Sequence, residues 1–261
     1  MVITSKDNDF VKHVKKLKEK KYREEYGEFI VEGIKMIEEA ILENAIIKNI
    51  VICDDCKTQS SIPNDLLYEI AKYNCIYVTE KVFNSMTDVS NPQGILAIID
   101  KSENKENQID FKEDLFLILD NIQDPGNMGT ILRTADSINL KQILVSKGTS
   151  DPYNPKVVRS TMGAIFRVKV IECEDLSKTI KELKKHKIKI YATDLRTDKS
   201  IYDVNYKKVG IVIGNEANGV SNEILELSDT KIKIPMKGKT ESLNAAVATG
   251  IILYEANRQS I

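Results

Sequence analysis

The second half of the chain alternates compact apolar runs with helical or polar segments. Six runs are rich in β-branched residues and apolar on both faces, which is typical of strands in a parallel sheet that helices cover on both sides. The runs are LFLILD (115–120), QILVS (142–146), RVKVIE (167–172), IKIYATD (188–194), VGIVIGN (209–215) and IKIPM (232–236). The pattern predicts an α/β fold in which ligands bind beyond the carboxyl ends of the strands.

The first part of the chain predicts a smaller α/β domain by the same alternation. Helical spacing in VKHVKKLKEKK, IKMIEEAILEN and PNDLLYEIAKY alternates with strand-like GEFIVEG, IIKNIVIC, CIYVTE and GILAIID. Between the two parts, KSENKENQIDFKE (101–113) is polar and almost without apolar periodicity, as linkers are. We therefore predict a first domain at 1–102, a linker at 103–113 and a second domain at 114–261.

Composition narrows the classes of function. No apolar run approaches the length of a membrane span, and the N-terminus lacks a signal peptide's apolar core and cleavage site, so we expect a cytoplasmic protein. The four cysteines include one Cys-x-x-Cys pair, Cys53 and Cys56, with no second pair nearby to complete a tetrahedral zinc site. Reduced structural or surface thiols and no bound metal are the expectation.

Positive charge is concentrated at the N-terminus. Residues 1–23 carry eight Lys or Arg side chains against three acidic ones, although the whole chain has a net charge of -1. Such a segment is either a solvated helix face or a surface that attracts RNA phosphates and loses that attraction as salt is added. We expect the RNA role, and its candidate residues are Lys15, Lys16, Lys20, Lys21 and Arg23.

Polar residues follow the first predicted strand of the second domain. Asn127 and Gly129 come after an Asp-Pro-Gly turn, and Arg133 is predicted on the first turns of a helix. A buried guanidinium near a helix start is electrostatically unfavourable, since cations prefer the other end. It therefore indicates a partner anion, either an RNA phosphate or an intramolecular carboxylate.

A second cluster follows VGIVI. Gly214 and Gly219 allow the backbone to approach a ligand closely, and Glu216 lies between them. The same stretch could be an ordinary turn into a helix capped by Ser221 or Asn222. The dinucleotide fingerprint G-x-G-x-x-G is absent from the chain, which argues against nicotinamide and flavin enzymes and against a Rossmann-type methyltransferase.

The stretch IPMKGKTESLNAAVATGIILY (234–254) contains a Gly-Lys-Thr that invites a nucleoside-triphosphate interpretation. A P-loop needs a first glycine five positions earlier, and Lys233 stands there, so this interpretation fails. A helix follows, capped by Thr240 or Ser242. One helical face, expected to be core and otherwise a dimer contact, holds Leu243, Ala246, Val247, Gly250, Ile251 and Tyr254.

Three motifs in this order resemble the SpoU/TrmH branch of the SPOUT RNA methyltransferases over residues 115–258. They are N-x-G-x-x-x-R from Asn127 to Arg133, G-x-E-x-x-G from Gly214 to Gly219, and I-P-M from Ile234 followed by S-L-N from Ser242. FIVEGIKMIEEAI (29–41) and the basic N-terminal helix also resemble the ribosomal-protein-like RNA-binding domain that precedes the catalytic domain in ribosomal-RNA members.

The resemblance implies a trefoil knot in the second domain, a homodimer formed through that domain, and S-adenosylmethionine bound in the knot. It also implies transfer of a methyl group to a ribose 2′-hydroxyl of RNA, with 23S ribosomal RNA favoured over transfer RNA because of the added N-terminal domain. A catalytically idle RNA-binding assembly factor is the alternative. By position, the residues at the cofactor are Thr193, Gly214, Asn215, Gly219, Ile234, Met236, Ser242 and Leu243.

The resemblance also implies catalytic roles. Arg133 either removes the hydroxyl proton, with a pKa lowered by its neighbours, or holds a phosphate and orients the hydroxyl. Asn127, Glu216 and Asn244 shape and orient the site. Ser160, in RSTMGAIFRV, matches a position near the target nucleotide.

Overall fold

The structure, a computed structural model, describes residues 2–260 apart from the side chains of residues 56 and 59. Cys56 of the predicted Cys-x-x-Cys pair therefore has its side chain outside the described part. The strands are β1 (Val2–Ile3), β2 (Glu28–Glu32), β3 (Ile47–Cys53), β4 (Cys75–Val78), β5 (Ile95–Asp100), β6 (Leu115–Asp120), β7 (Gln142–Ser146), β8 (Lys169–Cys173), β9 (Lys189–Thr193), β10 (Val209–Gly214) and β11 (Thr230–Ile232). The helices are α1 (Asp9–Lys16), α2 (Lys20–Tyr26), α3 (Ile34–Leu42), α4 (Cys56–Ser61), α5 (Asn64–Ile70), α6 (Glu80–Met86), α7 (Pro125–Ser137), α8 (Pro155–Thr161), α9 (Leu176–Lys185), α10 (Asn222–Leu227) and α11 (Ala245–Ser260).

The chain divides into two units. The first holds the residues up to Ser102 together with Tyr153–Phe166, and the second holds Glu103–Pro152 and the chain from Arg167 onward. The segment that carries α8 thus belongs to the first unit, where Val157 and Val158 are buried and α8 packs on β2. The predicted division at 113/114 did not separate this segment, because nothing in its composition differs from its neighbours. No helix among residues 2–260 is long and apolar enough to cross a lipid bilayer.

The first unit is built on a mixed five-stranded sheet of order β1-β4-β3-β5-β2. Strands β1, β4 and β3 are parallel, while β5 runs antiparallel to both β3 and β2. On one side of this sheet, apolar residues of α1 and α6 pack against β3 and β5 in a single cluster. The helical and strand-like segments predicted for residues 1–102 are present, except that the helix predicted at 11–21 is divided by a turn at 17–19 into α1 and α2.

Arg23 has a structural role in the first unit. Its side chain is only 1% exposed, and its Nη1 donates hydrogen bonds to the carbonyl oxygens of Leu17 (2.9 Å) and Lys18 (2.7 Å) just beyond α1. The prediction that Arg23 contacts RNA is wrong, because an enclosed guanidinium that satisfies backbone carbonyls cannot reach a phosphate. Its burial closes the turn between α1 and α2.

The four lysine candidates near Arg23 keep access to solvent. Lys16, Lys20 and Lys21 are exposed, and Lys15 is half-buried. The ammonium groups of Lys16 and Lys21 lie 5.2 and 5.5 Å from the ring centre of Tyr22, and Lys20 pairs with Glu24 at 3.6 Å. Their contact with RNA stays a prediction.

The second unit contains a six-stranded, fully parallel sheet of order β11-β9-β10-β6-β7-β8. Strands β7 and β10 are buried along their whole length, as their two-sided apolar pattern predicts. The last strand differs from the prediction, because β11 ends at Ile232 and does not extend through 236. Lys233 makes one more bridge, to Ser200, and Pro235 then lacks the N–H that a continuing ladder requires.

Helix α11 buries a different face from the one predicted. It begins at Ala245, and its buried side chains include Thr249, Ile252 and Leu253. Val247 and Tyr254 are 51% and 53% exposed. The prediction that their face packs into the core of a single chain is therefore wrong. The dimer alternative for that face stays a prediction.

The polar stretch 103–113, predicted as a linker, is part of the second unit and packs within it. Ile109 is buried, and the Phe111 ring stacks on His186 with 4.2 Å between ring centres. The Gln142 side chain accepts from the backbone amide of Asp110 (3.0 Å) and donates to its carbonyl (2.8 Å). Two apolar side chains and one amide pair therefore order a segment whose composition is that of a linker.

Candidate functional site

Three loops meet at the carboxyl edge of the parallel sheet of the second unit, and three side chains join them. Asn244 Nδ2 donates to Asn127 Oδ1 at 2.8 Å, and Asn127 Nδ2 donates to Glu216 Oε1 at 2.9 Å. Asn244 Oδ1 in turn accepts from the backbone amides of Ala246 (3.0 Å) and Val247 (3.2 Å). Because a carboxylate only accepts hydrogen bonds, Glu216 fixes the orientation of both amides. We call Asn244, Asn127 and Glu216 the amide relay.

The amide relay corrects one sequence prediction. The residue that caps α11 is Asn244, because its side-chain oxygen takes the two free amides of the first turn. Thr240 and Ser242, the predicted caps, lie in the loop before it and make no such bond. At the other end of the relay, Asp124 Oδ1 caps α7 by accepting from the amide of Asn127 at 2.8 Å.

Glu216 is held as a carboxylate. Partial burial acts to raise its pKa, but hydrogen bonds from Asn127 Nδ2 and from the amides of Gln123 (3.2 Å) and Asp124 (3.1 Å) outweigh it, and the pKa of Glu216 is lowered. The carboxylate thus ties the loop after β10 to the loop after β6.

The loop after β10 is built on a close backbone approach at Gly214. A β-carbon at Gly214 would lie 2.0 Å from the amide nitrogen of Val220 and 2.1 Å from the carbonyl carbon of Gly219, so only glycine fits. Asn215 Oδ1 accepts from the amides of Ala217 (3.0 Å) and Asn218 (3.1 Å). Gly219 itself has φ +70°, a conformation that glycine adopts readily.

These loops surround a cavity of about 660 Å³, within the usual range for a small-molecule site. Asn244 and Glu216 of the amide relay also line it. All eight residues that the resemblance assigns to the cofactor line this cavity: Thr193, Gly214, Asn215, Gly219, Ile234, Met236, Ser242 and Leu243. The fold therefore brings together, at three strand ends, residues that lie up to 50 positions apart in the sequence.

The segment 234–243, which we call the knot-side loop after the knot that the sequence resemblance implies, carries free backbone groups along the cavity. Within the described chain, none of its amides or carbonyls makes a backbone hydrogen bond. Its ends are held, since Lys233 N donates to Lys199 O (2.9 Å) and Asn244 belongs to the amide relay. Free amides and carbonyls beside apolar side chains such as Leu243 fit a ligand with adenosine and amino-acid groups, and so fit S-adenosylmethionine.

Arg133 does not lie where the sequence predicts. It is the ninth residue of α7 and is exposed, about 9 Å along the helix axis from Asn127. The prediction of a buried guanidinium on the first turns is wrong, because α7 begins at Pro125 and turns this position toward solvent. Within the described chain the Arg133 guanidinium makes no hydrogen bond or ion pair, and Arg133 does not line the cavity.

Ser160 is not among the residues that the second unit brings together. It lies on α8, which belongs to the first unit, and its hydroxyl donates to Lys156 O at 2.8 Å. Ser160 is half-buried, and its contact with RNA stays a prediction.

Sequence reasoning missed three charged residues of this region. Asp120, the last residue of β6, is buried and its carboxylate accepts from the amide of Ser221 at 2.8 Å. Asp194 and Arg196 line the cavity and pair with each other at 3.0 Å, and this hydrogen bond lowers the pKa of Asp194. All three stand at or just after the end of a strand. This position, which led to Asn127 and Glu216, could also have identified them.

Family models match most of the chain. Residues 114–254 match the model described as the SpoU rRNA Methylase family, and residues 8–97 match the MRM3-like substrate binding domain. The first match contains the complete cavity and the amide relay, and the second covers β2, β3, β4 and the first half of β5.

Characterised and solved proteins resemble the whole chain. The chain is 34% identical to 23S rRNA (guanosine(2553)-2′-O)-methyltransferase RlmP of Bacillus subtilis, covering 97% of both chains. An AdoMet-bound rRNA methyltransferase from Sinorhizobium meliloti aligns with TM-score 0.85 and 29% identity over 100% of this chain and 98% of that one. The SpoU methyltransferase AviRb from Streptomyces viridochromogenes, in complex with AdoMet, aligns with TM-score 0.87 and 26% identity over 97% and 98%.

Proposed function

Because the chain belongs to the SpoU rRNA Methylase family, we propose that it transfers a methyl group from S-adenosylmethionine to a ribose 2′-hydroxyl of RNA, with 23S ribosomal RNA as the favoured substrate. The observation that carries the proposal is the cavity at the carboxyl edge of the parallel sheet, closed by the amide relay of Asn244, Asn127 and Glu216. The name of the Bacillus subtilis relative supports ribosomal RNA over transfer RNA.

The cofactor is held mainly by backbone groups. The glycine loop at Gly214 and the knot-side loop offer amides and carbonyls, and Leu243 and Met236 offer apolar surface. When bound, S-adenosylmethionine supplies an electrophilic methyl group on a sulfonium. The trefoil knot that the resemblance implies would keep these two loops together.

The acceptor hydroxyl needs help to lose its proton, and Arg133 is the residue we assign to it. An arginine keeps its proton, with a pKa above about 12, unless its surroundings lower that value. Arg133 therefore acts either as a base in a changed environment or as a clamp on the RNA phosphate beside the reacting ribose. Both roles need the guanidinium to be free, and within the described chain it has no partner.

We further infer a homodimer through the second unit. Arg133 lies one helical turn from Ser137, whose hydroxyl is 3.1 Å from the hydroxyl of Tyr254 on α11. Val247 and Tyr254 expose apolar surface beside them. A second copy that covers this face of α7 and α11 would bury that surface and enclose Arg133. Sedimentation of a Val247→Glu/Tyr254→Glu variant tests this, since the dimer should be lost while the fold stays.

The first unit is proposed to bind the RNA, with Lys15, Lys16, Lys20 and Lys21 as the candidate contacts. The match to a substrate binding domain over residues 8–97 supports this role. Ribosomal RNA as substrate also supports a cytoplasmic location.

The decisive experiment measures transfer of labelled methyl from S-adenosylmethionine into unmethylated 23S ribosomal RNA and bulk transfer RNA, followed by nuclease digestion and mass analysis. We expect a 2′-O-methylated nucleoside from ribosomal RNA, and its loss in Arg133→Ala with cofactor binding unchanged. Arg133→Lys should retain more activity than Arg133→Ala, because a lysine can still hold a phosphate. Full turnover in Arg133→Ala contradicts the assignment, and an absence of cofactor binding in the parent protein favours an idle RNA-binding relative.

A further inference from the structure

The Lys-Gly-Lys-Thr segment of the knot-side loop has no role in the function described so far. It is not a P-loop, because Lys233 replaces the first glycine that such a loop requires. It connects Met236 to Glu241, and both of these residues line the cavity. The segment therefore forms part of the rim of the cavity.

The two lysines of this segment carry positive charge that the chain does not neutralise. Lys237 and Lys239 are exposed, and within the described residues neither forms an ion pair or a hydrogen bond. The neighbouring Lys233, by contrast, pairs with Asp198 at 3.4 Å. Glu241 is the carboxylate in the same loop, and it forms no salt bridge with either lysine.

The space around the segment is open. A β-carbon built on Gly238 meets no atom within 4 Å, whereas one on Gly214 collides with backbone. The backbone of the segment also makes no internal hydrogen bonds. Residues 237–240 are all exposed, so Lys237 and Lys239 are accessible to a ligand from solvent.

We propose that Lys237 and Lys239 form a phosphate-binding rim that holds the RNA backbone next to the ribose to be methylated. An ammonium group on a flexible stem binds phosphate as a point charge and does not read sequence. Each phosphate contact releases condensed counterions and so steepens the loss of RNA affinity with salt. The proposal rests on the proposed function for the identity of the RNA, and its location at the rim distinguishes it from the basic surface of the first unit.

The test compares a Lys237→Gln/Lys239→Gln variant with a matched Lys187→Gln/Lys189→Gln control. Lys187 and Lys189 have the same spacing and are exposed, but Lys189 begins β9 and so lies at the opposite, amino edge of the sheet. Affinity for 23S ribosomal RNA transcribed in vitro is measured by filter binding between 50 and 200 mM salt. Affinity for S-adenosylmethionine is measured in parallel and also reports correct folding.

The rim variant should bind the RNA about ten-fold more weakly at low salt, with a log–log salt slope shallower by about 1.5, since each contact contributes roughly 0.7 to 0.9. Its affinity for S-adenosylmethionine and the behaviour of the control should match the parent protein. An unchanged slope overturns the proposal, as does a loss confined to S-adenosylmethionine. If the proposed function fails, the result is different. The parent protein then binds RNA with a steeper salt slope than the rim variant, but it methylates no RNA.

Discussion

Asn127 and Asn244 lie 117 positions apart in the sequence, and their side-chain amides share a hydrogen bond of 2.8 Å. Each amide has a second partner that fixes its direction, Glu216 for Asn127 and the first turn of α11 for Asn244. The loops after β6, β10 and β11 are therefore held in register by a single line of polar groups. Because the amide relay supports the wall of the cavity, substitutions in it should lower both the free energy of unfolding and the affinity for the cofactor.

Replacing Asn127 with alanine should break the amide relay at its centre. The change removes two side-chain hydrogen bonds, one from Asn244 Nδ2 and one to Glu216 Oε1, and a hydrogen bond of this kind contributes about 0.5–1.5 kcal/mol. We expect the free energy of unfolding to fall by about 1–3 kcal/mol, measured by urea denaturation. Thr130→Ala is the control on the same helix, because its exposed hydroxyl bonds only to Gly126 O. Equal losses in the two variants would contradict a special role for the relay.

Gly214→Ala should abolish binding of S-adenosylmethionine. The added methyl would lie 2.0 Å from a backbone nitrogen of Val220, and backbone cannot move aside as a side chain can. A cost at or above about 3 kcal/mol, the upper part of the range for overpacking, is expected. Gly238→Ala is the matched control, with no atom within 4 Å of the new methyl. Calorimetric titration of the cofactor checks both variants, and retained affinity in Gly214→Ala would show that the loop can rearrange.

The pKa of Glu216 predicts the sign of a pH effect. Although partial burial opposes the change, hydrogen bonds lower this pKa in the folded protein. A lowered pKa contributes stability that is present above the unfolded-state value and is lost as the pH falls through the folded-state value. Glu216→Gln should therefore destabilise the protein at pH 7 and differ less from the parent at pH 3, in urea denaturation at the two pH values. A difference that grows toward acid pH would mean that the carboxylate is not the stabilising form.

Cys53 should be inert to alkylation in the folded protein. Burial, with a smaller contribution from its hydrogen bond to Asp55 at 3.1 Å, raises the pKa of this thiol to about 12. Thiolate is the reactive form, so iodoacetamide at pH 8 should leave Cys53 unmodified and label it after unfolding, as read by peptide mass spectrometry. The half-buried Cys75 is the internal comparison and should react faster. Rapid native labelling of Cys53 would instead indicate the reactive Cys-x-x-Cys that its spacing allows.

The sequence predicted strands and site residues correctly where a single physical requirement determines them. Apolar runs placed β6, β7 and β10 well, because a strand covered on both sides must be apolar at every position. The site residues Asn127 and Glu216 could be found because parallel strands bring their carboxyl ends to one edge. These rules concern the chain locally and need no knowledge of what packs against it.

The errors come from tertiary partners that a local pattern does not contain. The enclosure of Arg23 depends on two carbonyls beyond α1, and the exposure of Val247 and Tyr254 depends on which face of α11 meets the sheet. The cap of α11 was assigned two or four residues too early because Thr240, Ser242 and Asn244 are all acceptable caps. The side-chain bonds of Asn244 distinguish it from the other two, since its oxygen accepts from the first turn of α11 and its amide donates to Asn127.

The membership of α8 in the first unit restricts how this protein can be divided. The polypeptide passes from one unit to the other at 102–103, at 152–153 and at 166–167. A gene fragment that begins at residue 103 would encode α8 without the strand β2 on which it packs, and would leave Val157 and Val158 open to water. Recombination that exchanges the first unit at a single junction would replace β2 under an unchanged α8. The segment 153–166 must therefore be inherited together with the rest of the first unit, although it lies between two stretches of the second.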